Sequence, residues 1–390
     1  MKKICLALAI LLAVLSLTVC QRQQSGSAAA GGQQSAAATT AEASLIGLAM
    51  PETTVLRWVK DGASLKAEAE KRGYRAEVQF GNGDQVLQNQ QIGNLLTQGA
   101  KLLVVGQLND GVASAVADAA RDNVAVIAYD RIIQNSADYD YYITFNNFKV
   151  GQLQGQGIEA GLNLSAATAA SPKYITLFAG SPTDGNAFFF YDGAMSILNP
   201  YVQSGVLKVV GPYPETSKDT ANFQRIATEG WLPNIAKTRM ENLLSGDARS
   251  VTLDAVLAPN DTLARAIIEA VSADAKYTSK LPVVSGQDAE AASLAMIKNG
   301  QQYMTVFKDT GKLAEAAIIL ADQILKGVTD PTVPGAILAS SIGLESIGDT
   351  GRKVVKAYLL DPVNITQANW RDPITAGFIT PEEVTANNLQ

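Results

Sequence analysis

The sequence predicts an α/β protein built as two doubly wound, parallel-sheet lobes. Three observations predict it. From Leu45 onward, short apolar runs alternate with amphipathic stretches of helical period. The short runs are continuously apolar, as in strands whose sheet is covered by helices on both faces. The alternation then restarts in the second half of the chain, and repeated βα units of one handedness give a doubly wound sheet each time. The 390 residues, 47% hydrophobic and 17% charged, suffice for two globular cores.

In chain order, the first set of strands is expected at Leu45–Met50, Ala76–Phe80, Leu102–Gly106, Val124–Tyr129 and Tyr141–Phe145. Helices are expected between them at Arg57–Arg72, Gln85–Gln98 and Val112–Arg121. The second set of strands is expected at Ile175–Ala179, Leu207–Val210, Ala255–Ala258, Pro282–Ser285 and Tyr303–Phe307. Its helices are expected at Phe148–Leu162, Asn186–Leu198, Pro233–Leu244, Thr262–Val271 and Ala289–Lys298. A last helix, Thr310–Leu325, precedes a Pro/Gly-rich turn region and a strand at Val354–Leu360.

Composition excludes several chemistries. There is no histidine, so Ser-His-Asp and Cys-His catalysis, His bases and His metal ligands are all absent. The two cysteines, Cys5 and Cys20, leave the body without a disulfide or Cys-based metal site. A net charge of −6 disfavours nucleic acid as a partner. No cofactor is implied. No GxxxxGK[ST] loop, GxSxG elbow or EF-hand loop occurs, and the glycines of 151–157 do not follow the dinucleotide fingerprint.

Residues 1–20 read as an export signal: Lys2 and Lys3 precede an almost wholly apolar run from Ile4 to Val19. The run is short for a membrane-spanning anchor. Its end, Leu17-Thr18-Val19-Cys20, resembles the lipobox of bacterial lipoproteins, which makes Cys20 the lipidated mature N-terminus. Val19 departs from the small residue of that motif, and a soluble periplasmic form is the rival expectation. Residues 21–43 are rich in Gln, Ser, Ala, Gly and Thr, and fit a flexible tether.

In open parallel sheets ligands bind beyond the carboxyl ends of the strands. The residues expected there are polar in both halves. They are Arg57-Trp58, Asn109-Asp110, Asp130-Arg131, Asp184-Gly185-Asn186, Asn260-Asp261, Gln287-Asp288 and Lys308-Asp309. Sugar hydroxyls both donate and accept, so planar Asp, Asn and Arg groups pair with two at once. The apolar face of a pyranose packs flat on an indole, for which Trp58 and Trp231 are the candidates. Each residue also has an ordinary role to set against this. Asp184 and Asp261 suit helix caps, Trp231 suits a core position, and Asp130-Arg131 suits a surface ion pair. The run Phe188-Phe189-Phe190-Tyr191 suits core packing, with one ring open to face a cleft.

Six stretches carry a resemblance. They are Leu56-Arg57-Trp58, Ile127–Arg131, Thr144–Gly151, Asn186–Met195, Val283–Glu290 and Phe307–Thr310. Through them the chain resembles periplasmic sugar-binding proteins of bacterial ABC importers, of the xylose-binding and multiple-sugar type. The resemblance implies a type I periplasmic binding fold: two lobes joined by three hinge crossings, with a monosaccharide between. Carried over, it implies that Arg57, Trp58, Asn109, Asp130 and Arg131 bind sugar from the first lobe. Asn186, Trp231, Asn260, Asp288 and Lys308 close from the second. Crossings are then expected near Asn146, Lys308–Thr310 and Pro334–Leu338. That makes residues 44–146 plus 309–336 the first lobe and 147–308 plus 337–390 the second.

The implied function is capture of a monosaccharide for an ABC permease by an exported chain expected to be monomeric — with a chemoreceptor or sensor kinase open as a further partner. Three cations and two anions among these residues suit a neutral sugar and leave an acidic one open. Two rival functions stand beside this one. A glycosidase would use Asp130 and Asp288 as paired carboxylates. A purely sensory module would present bound sugar to a receptor. The lactose-repressor-type regulators share the fold but carry a DNA-binding helix-turn-helix where this chain has a signal and tether.

Overall fold

The computed structural model describes residues 43–387, apart from Leu56. The expected signal, Cys20 and the tether up to residue 42 lie outside the described residues.

The first lobe opens β1 (Leu45–Met50), α1 (Arg57–Lys71), β2 (Arg75–Phe80), α2 (Gln85–Thr97), β3 (Ala100–Val105), α3 (Ala113–Arg121), β4 (Ala125–Tyr129) and β5 (Tyr141–Phe145). All six residues of β1 are buried, as its unbroken apolar run requires. The second lobe follows with α4 (Asn147–Leu162), β6 (Lys173–Leu177), α5 (Gly185–Gln203), β7 (Leu207–Val209), α6 (Thr220–Ile226), α7 (Pro233–Ser245), β8 (Ala255–Leu257), α8 (Asp261–Ser272), β9 (Val283–Val284), α9 (Ala291–Lys298) and β10 (Met304–Phe307). Then α10 (Thr310–Leu325), β11 (Ala336–Leu338) and β12 (Lys356–Leu360) return to the first lobe. Finally β13 (Val363–Thr366), α11 (Asp372–Thr375) and α12 (Pro381–Ala386) close the second.

The first sheet has seven strands in the order β11-β12-β5-β4-β3-β1-β2, all parallel except β11. The second has four parallel strands in the order β7-β6-β8-β9. An antiparallel pair, β10 and β13, extends it: the Tyr303 amide donates to the Val284 carbonyl at 3.2 Å and the Val306 amide to Gly286 at 3.1 Å.

The sheet order corrects the expected lobe boundaries. Residues 337–360 were expected in the second lobe, yet β12 pairs parallel with β5 and β11 pairs with β12, so both strands belong to the first sheet. The third crossing therefore falls at Asp361-Pro362, between β12 and β13, rather than near Pro334–Leu338. The other two crossings coincide with helix caps. Asn146 accepts from the Lys149 amide at 3.0 Å and starts α4; Asp309 accepts from the Lys312 amide at 3.2 Å and starts α10. A strand thus ends and a helix begins within two residues at each of these hinges.

The strands and long helices match their expected spans within a few residues. Several elements carried no clear signal. The strands β11 and β13 are three and four residues long and pair antiparallel at sheet edges, and α6, α11 and α12 are short.

The glycines of α4 are explained by packing. A Cβ at Gly151 would overlap the Phe190 carbonyl of α5 and approach the Ala194 nitrogen to 2.8 Å. A Cβ at Gly193 would overlap the Phe148 carbonyl, and one at Gly155 would meet the Ala194 oxygen at 2.8 Å. The two helices touch backbone to backbone, and this contact orients the start of α5, where Asn186 and Phe190 lie. Overpacking at such a site costs about 1–3 kcal/mol. Gly151→Ala is expected to lower unfolding free energy by at least about 1 kcal/mol in urea denaturation; an unchanged midpoint would contradict the close approach.

Candidate sugar-binding site

One cavity lies between the carboxyl ends of the two sheets. Its walls include Arg57, Trp58, Asp130 and Arg131 from the first lobe and Asn186, Trp231, Asn260, Asp288 and Lys308 from the second. Nine of the ten expected site residues therefore come together. Asn109 does not join them: it lines grooves at the cleft margin, and its side chain accepts from the Gly111 amide at 2.9 Å. The Asp110-Gly111 turn that follows β3 demands a local cap, and Asn109 serves it.

The first-lobe half is built around Arg57. Its guanidinium sits 2.9 Å from Asp61 and 2.9 Å from Asp130. Asp61, one helical turn further along α1, is fully buried. Burial disfavours the charge on Arg57, but Asp130, Asp61 and Asp288 together hold its pKa well above the usual arginine value. Burial also pushes Asp61 up, with Arg57 pulling the other way. For Asp130 burial is outweighed by Arg57, Lys308 and Arg131, which hold its carboxyl below the ordinary range. Arg57 and Arg131 lie over the Trp58 ring, at 4.6 and 5.1 Å from its centroid. That indole thus aligns both cations as well as facing the cavity.

Asp130 is tied down by its own backbone. Its φ is +63°, a left-handed conformation that is unfavourable for a non-glycine residue. Its carbonyl accepts from Tyr142 Oη at 2.8 Å, Thr144 Oγ1 at 2.9 Å and Asn186 Nδ2 at 2.8 Å. Asn186 belongs to the second lobe and also accepts from Tyr142 and Asn147. Its amide is therefore a lobe-to-lobe tie as well as part of the wall.

In the second lobe, Asp288 takes φ +94° and pairs with Lys308 at 3.0 Å. Lys308 is 4% exposed and stands over the Phe190 ring at 5.5 Å. Asn260 caps α8 through the Leu263 amide at 3.0 Å, which directs its remaining amide group to the cavity. Trp231 is also left-handed, at φ +58°, and meets Phe190 edge-on at 6.5 Å. Trp231 Nε1 and Gln287 Oε1 are buried in this wall without a protein partner.

Four wall or support residues were not singled out as ligand groups. Asp184 does cap α5, through the Asn186 amide at 3.0 Å, and also reaches Arg131 at 3.1 Å across the cleft. Phe190 is the ring of its aromatic run that faces the cavity. Gln287 lines the wall beside Asp288. Asp61 was the one with a usable signal, since its spacing of four from Arg57 puts both on one helix face. Asp261 is not the cap it was expected to be. It is buried and accepts from the Glu290 amide, Gln302 and Thr305 at 2.8–3.0 Å, which anchors the loop carrying Asp288. Burial raises its pKa well above the usual aspartate value. Among the described residues no cluster of three or more His, Cys, Asp or Glu side chains is placed to hold a metal ion.

Two α/β lobes joined by three crossings, with a polar and aromatic cleft at the strand ends, define a hinged binding protein of the periplasmic type. Comparison with known proteins identifies its family. The periplasmic binding protein domain matches residues 46–329, and the chain belongs to that family. It is 39% identical over 340 residues to the multiple sugar-binding periplasmic receptor ChvE of Rhizobium radiobacter, covering 86% of this chain and 91% of that one. It is 35% identical over 330 residues to the D-xylose-binding periplasmic protein of Escherichia coli, covering 84% and 88%. A solute-binding protein of an ABC transporter from Clostridium phytofermentans, solved with bound β-D-glucose, superposes with a TM-score of 0.77 at 35% identity, covering 87% of this chain and 99% of that one.

Removing Asp61 strands part of a buried charge, a change that typically costs about 3–5 kcal/mol. Asp61→Ala is expected to lower stability on that scale in urea denaturation, and a loss under about 1 kcal/mol would dissociate Asp61 from Arg57. Asp130, with its folded pKa depressed, stabilises the fold above the unfolded aspartate pKa of about 3.9 and loses that contribution as pH falls through the lower folded value. Acid unfolding of Asp130→Asn, followed by circular dichroism, is expected to depend less steeply on pH below about 4 than that of the wild type.

Proposed function

We infer that the chain is the substrate-binding component of an ABC sugar importer, capturing a monosaccharide of the xylose, glucose, galactose or arabinose class between two closing lobes. The observation that carries this is the convergence, in one cleft, of hydrogen-bonding planar groups and two indoles from opposite lobes. Family membership supports it, as do relatives named for several sugars and for D-xylose, and a similar structure with bound β-D-glucose.

In this reading Asp130 and Arg57 receive hydroxyl groups on the first lobe. Asn260, Asp288 and Lys308 add theirs as the second lobe closes, and Trp231 covers the apolar ring face. The closed form gains only from contacts that the open form lacks. Arg131 and Asp184 belong to that set, because their pair spans the cleft. With Asp61 and Asp184 counted, four carboxylates surround the three cations. With each cation already paired, a neutral sugar is the supported ligand.

A glycosidase built on Asp130 and Asp288 would need one of the two carboxyls to serve as an acid. Both are instead paired with cations, Asp130 with Arg57 at 2.9 Å and Asp288 with Lys308 at 3.0 Å, and an adjacent cation favours the ionised form of a carboxyl. Binding without turnover is the better reading. The chain is exported like the rest of its family; attachment through a lipidated Cys20, with residues 21–43 as tether, is part of the same proposal. The partner that receives the sugar is an ABC permease.

Asp288→Ala is expected to weaken sugar binding at least tenfold by titration calorimetry without unfolding the protein; an unchanged dissociation constant would remove Asp288 from the site. A thermal-shift panel of monosaccharides tests the function itself. A ligand at 100 times its dissociation constant adds about 2.7 kcal/mol of stability. Failure of every monosaccharide to raise the melting temperature would overturn the sugar reading.

A further inference from the structure

The two indoles of the cleft rest on glycines at equivalent places. Gly106 follows β3 in the first lobe, and Gly180 follows β6 in the second, each just past the carboxyl end of its strand. A Cβ on Gly106 would stand 2.9 Å from Trp58 Cζ3 and 3.3 Å from Cη2, with Pro51 Cδ also at 3.3 Å. A Cβ on Gly180 would overlap Trp231 Cη2 and Cζ2 and lie 2.7 Å from Cζ3. Neither glycine has a positive φ, so backbone conformation does not require it. The space above each Cα is what is used, and in both cases the ring edge that fills it belongs to a tryptophan of the cavity wall.

The loop that delivers Trp231 is fastened to the same strand end. The Ala179 amide donates to the Ile226 carbonyl at 2.9 Å, the Thr228 amide to the Gly180 carbonyl at 3.0 Å, and the Gly230 amide to Ser181 Oγ at 3.1 Å. Arg239 donates to the Ile226 and Ala227 carbonyls from the other side. Gly230 and Trp231 then take successive left-handed φ values of +60° and +58°, which turns the indole back across Gly180. The first-lobe counterpart is simpler. The Gly106 amide donates to the Ala49 carbonyl at 2.9 Å, Gln88 Nε2 donates to the Gly106 carbonyl at 2.7 Å, and Trp58 lies over the bare Cα.

We propose that Gly106 and Gly180 are positioning residues for sugar capture: by lacking side chains, they form two flat seats that fix the depth and tilt of Trp58 and Trp231. The seat at Gly180 matters more, because the overlap there is deeper and Trp231 has no cation pair to align it. Filling a seat lifts the indole toward the space a sugar ring would occupy. The binding consequence rests on the sugar reading above; the indole's placement does not.

The test therefore uses two readouts. In a Trp58→Phe/Trp370→Phe background Trp231 is the sole tryptophan. Gly180→Ala in that background is expected to red-shift the indole emission and increase its quenching by acrylamide; unchanged emission and quenching would overturn the proposal whether or not a sugar binds. In the otherwise wild-type chain, titration calorimetry with a monosaccharide that the wild type binds is expected to show at least a tenfold weaker dissociation constant for Gly180→Ala and a smaller loss for Gly106→Ala. Trp231→Ala is expected to abolish the difference between glycine and alanine at position 180, and an additive double variant would overturn the coupling. If Gly180→Ala alone does not fold, Gly180→Ala/Trp231→Ala decides. Recovery of a cooperative melt supports the seat, and continued unfolding shows that the added methyl group harms the strand end itself. A wild-type chain that binds no sugar defeats the functional reading and leaves the fluorescence result to stand or fall by itself.

Discussion

The carbonyl oxygen of Asp130 is the point at which the molecule is joined chemically. It receives two donors from β5, through Tyr142 and Thr144, and one from the opposite lobe through Asn186. Three donors on one buried carbonyl satisfy more than its own requirement, and together they hold Asp130 in a left-handed conformation it would not otherwise keep. That conformation turns the carboxylate toward Arg57. Arg57 in turn needs Asp61, because a buried guanidinium with one partner is poorly compensated. From one strained strand end, the geometry of the whole first-lobe wall follows.

The same economy appears on the other side. Asp288 and Trp231 also sit at positive φ; the Asp288 amide donates to the Val306 carbonyl of β10 at 2.8 Å, and the Trp231 amide to the Thr228 carbonyl of its own loop at 3.1 Å. Elsewhere positive φ falls at Asn82, Asn123, Asn135 and Asn163, where asparagine tolerates it, and at Ala289 beside Asp288. Every cation of the site already has a carboxylate within 3.1 Å. A hydroxyl entering here meets cations that are each already paired, so it exchanges hydrogen-bond partners without exposing a lone cation.

Much of this was legible in the sequence. Strands such as Leu45–Met50 and Tyr141–Phe145 announce themselves because burial on both faces demands an unbroken apolar run. Polar residues at their ends mark the cleft for the same reason in reverse. Nine of the ten expected site residues converge: most follow a strand end or open a helix, while Trp231 and Asp288 ride on the loops before α7 and α9. Asn109 fails the test since the turn after it needs a cap, a demand as local as the one that was read from it. The third crossing was misplaced for a different reason. Which sheet claims β11 and β12 depends on a partner strand far away in sequence, and no periodicity within residues 336–360 encodes it. Asp61 and Asp261 were underread because an aspartate in a helix looks solvated until the fold buries it.

The pairing of β12 with β5 also bears on how the molecule comes into being. Lys356 stands opposite Tyr141, so the first sheet cannot be completed until β12 has been synthesised, after all of β6–β10. A nascent chain therefore carries an open sheet edge at β5 while the second lobe's β6–β10 are made, and closing that edge is a non-local step. Each lobe thus receives its last strand from the far end of the described chain: β12 joins the first sheet, and β13 then pairs with β10 in the second.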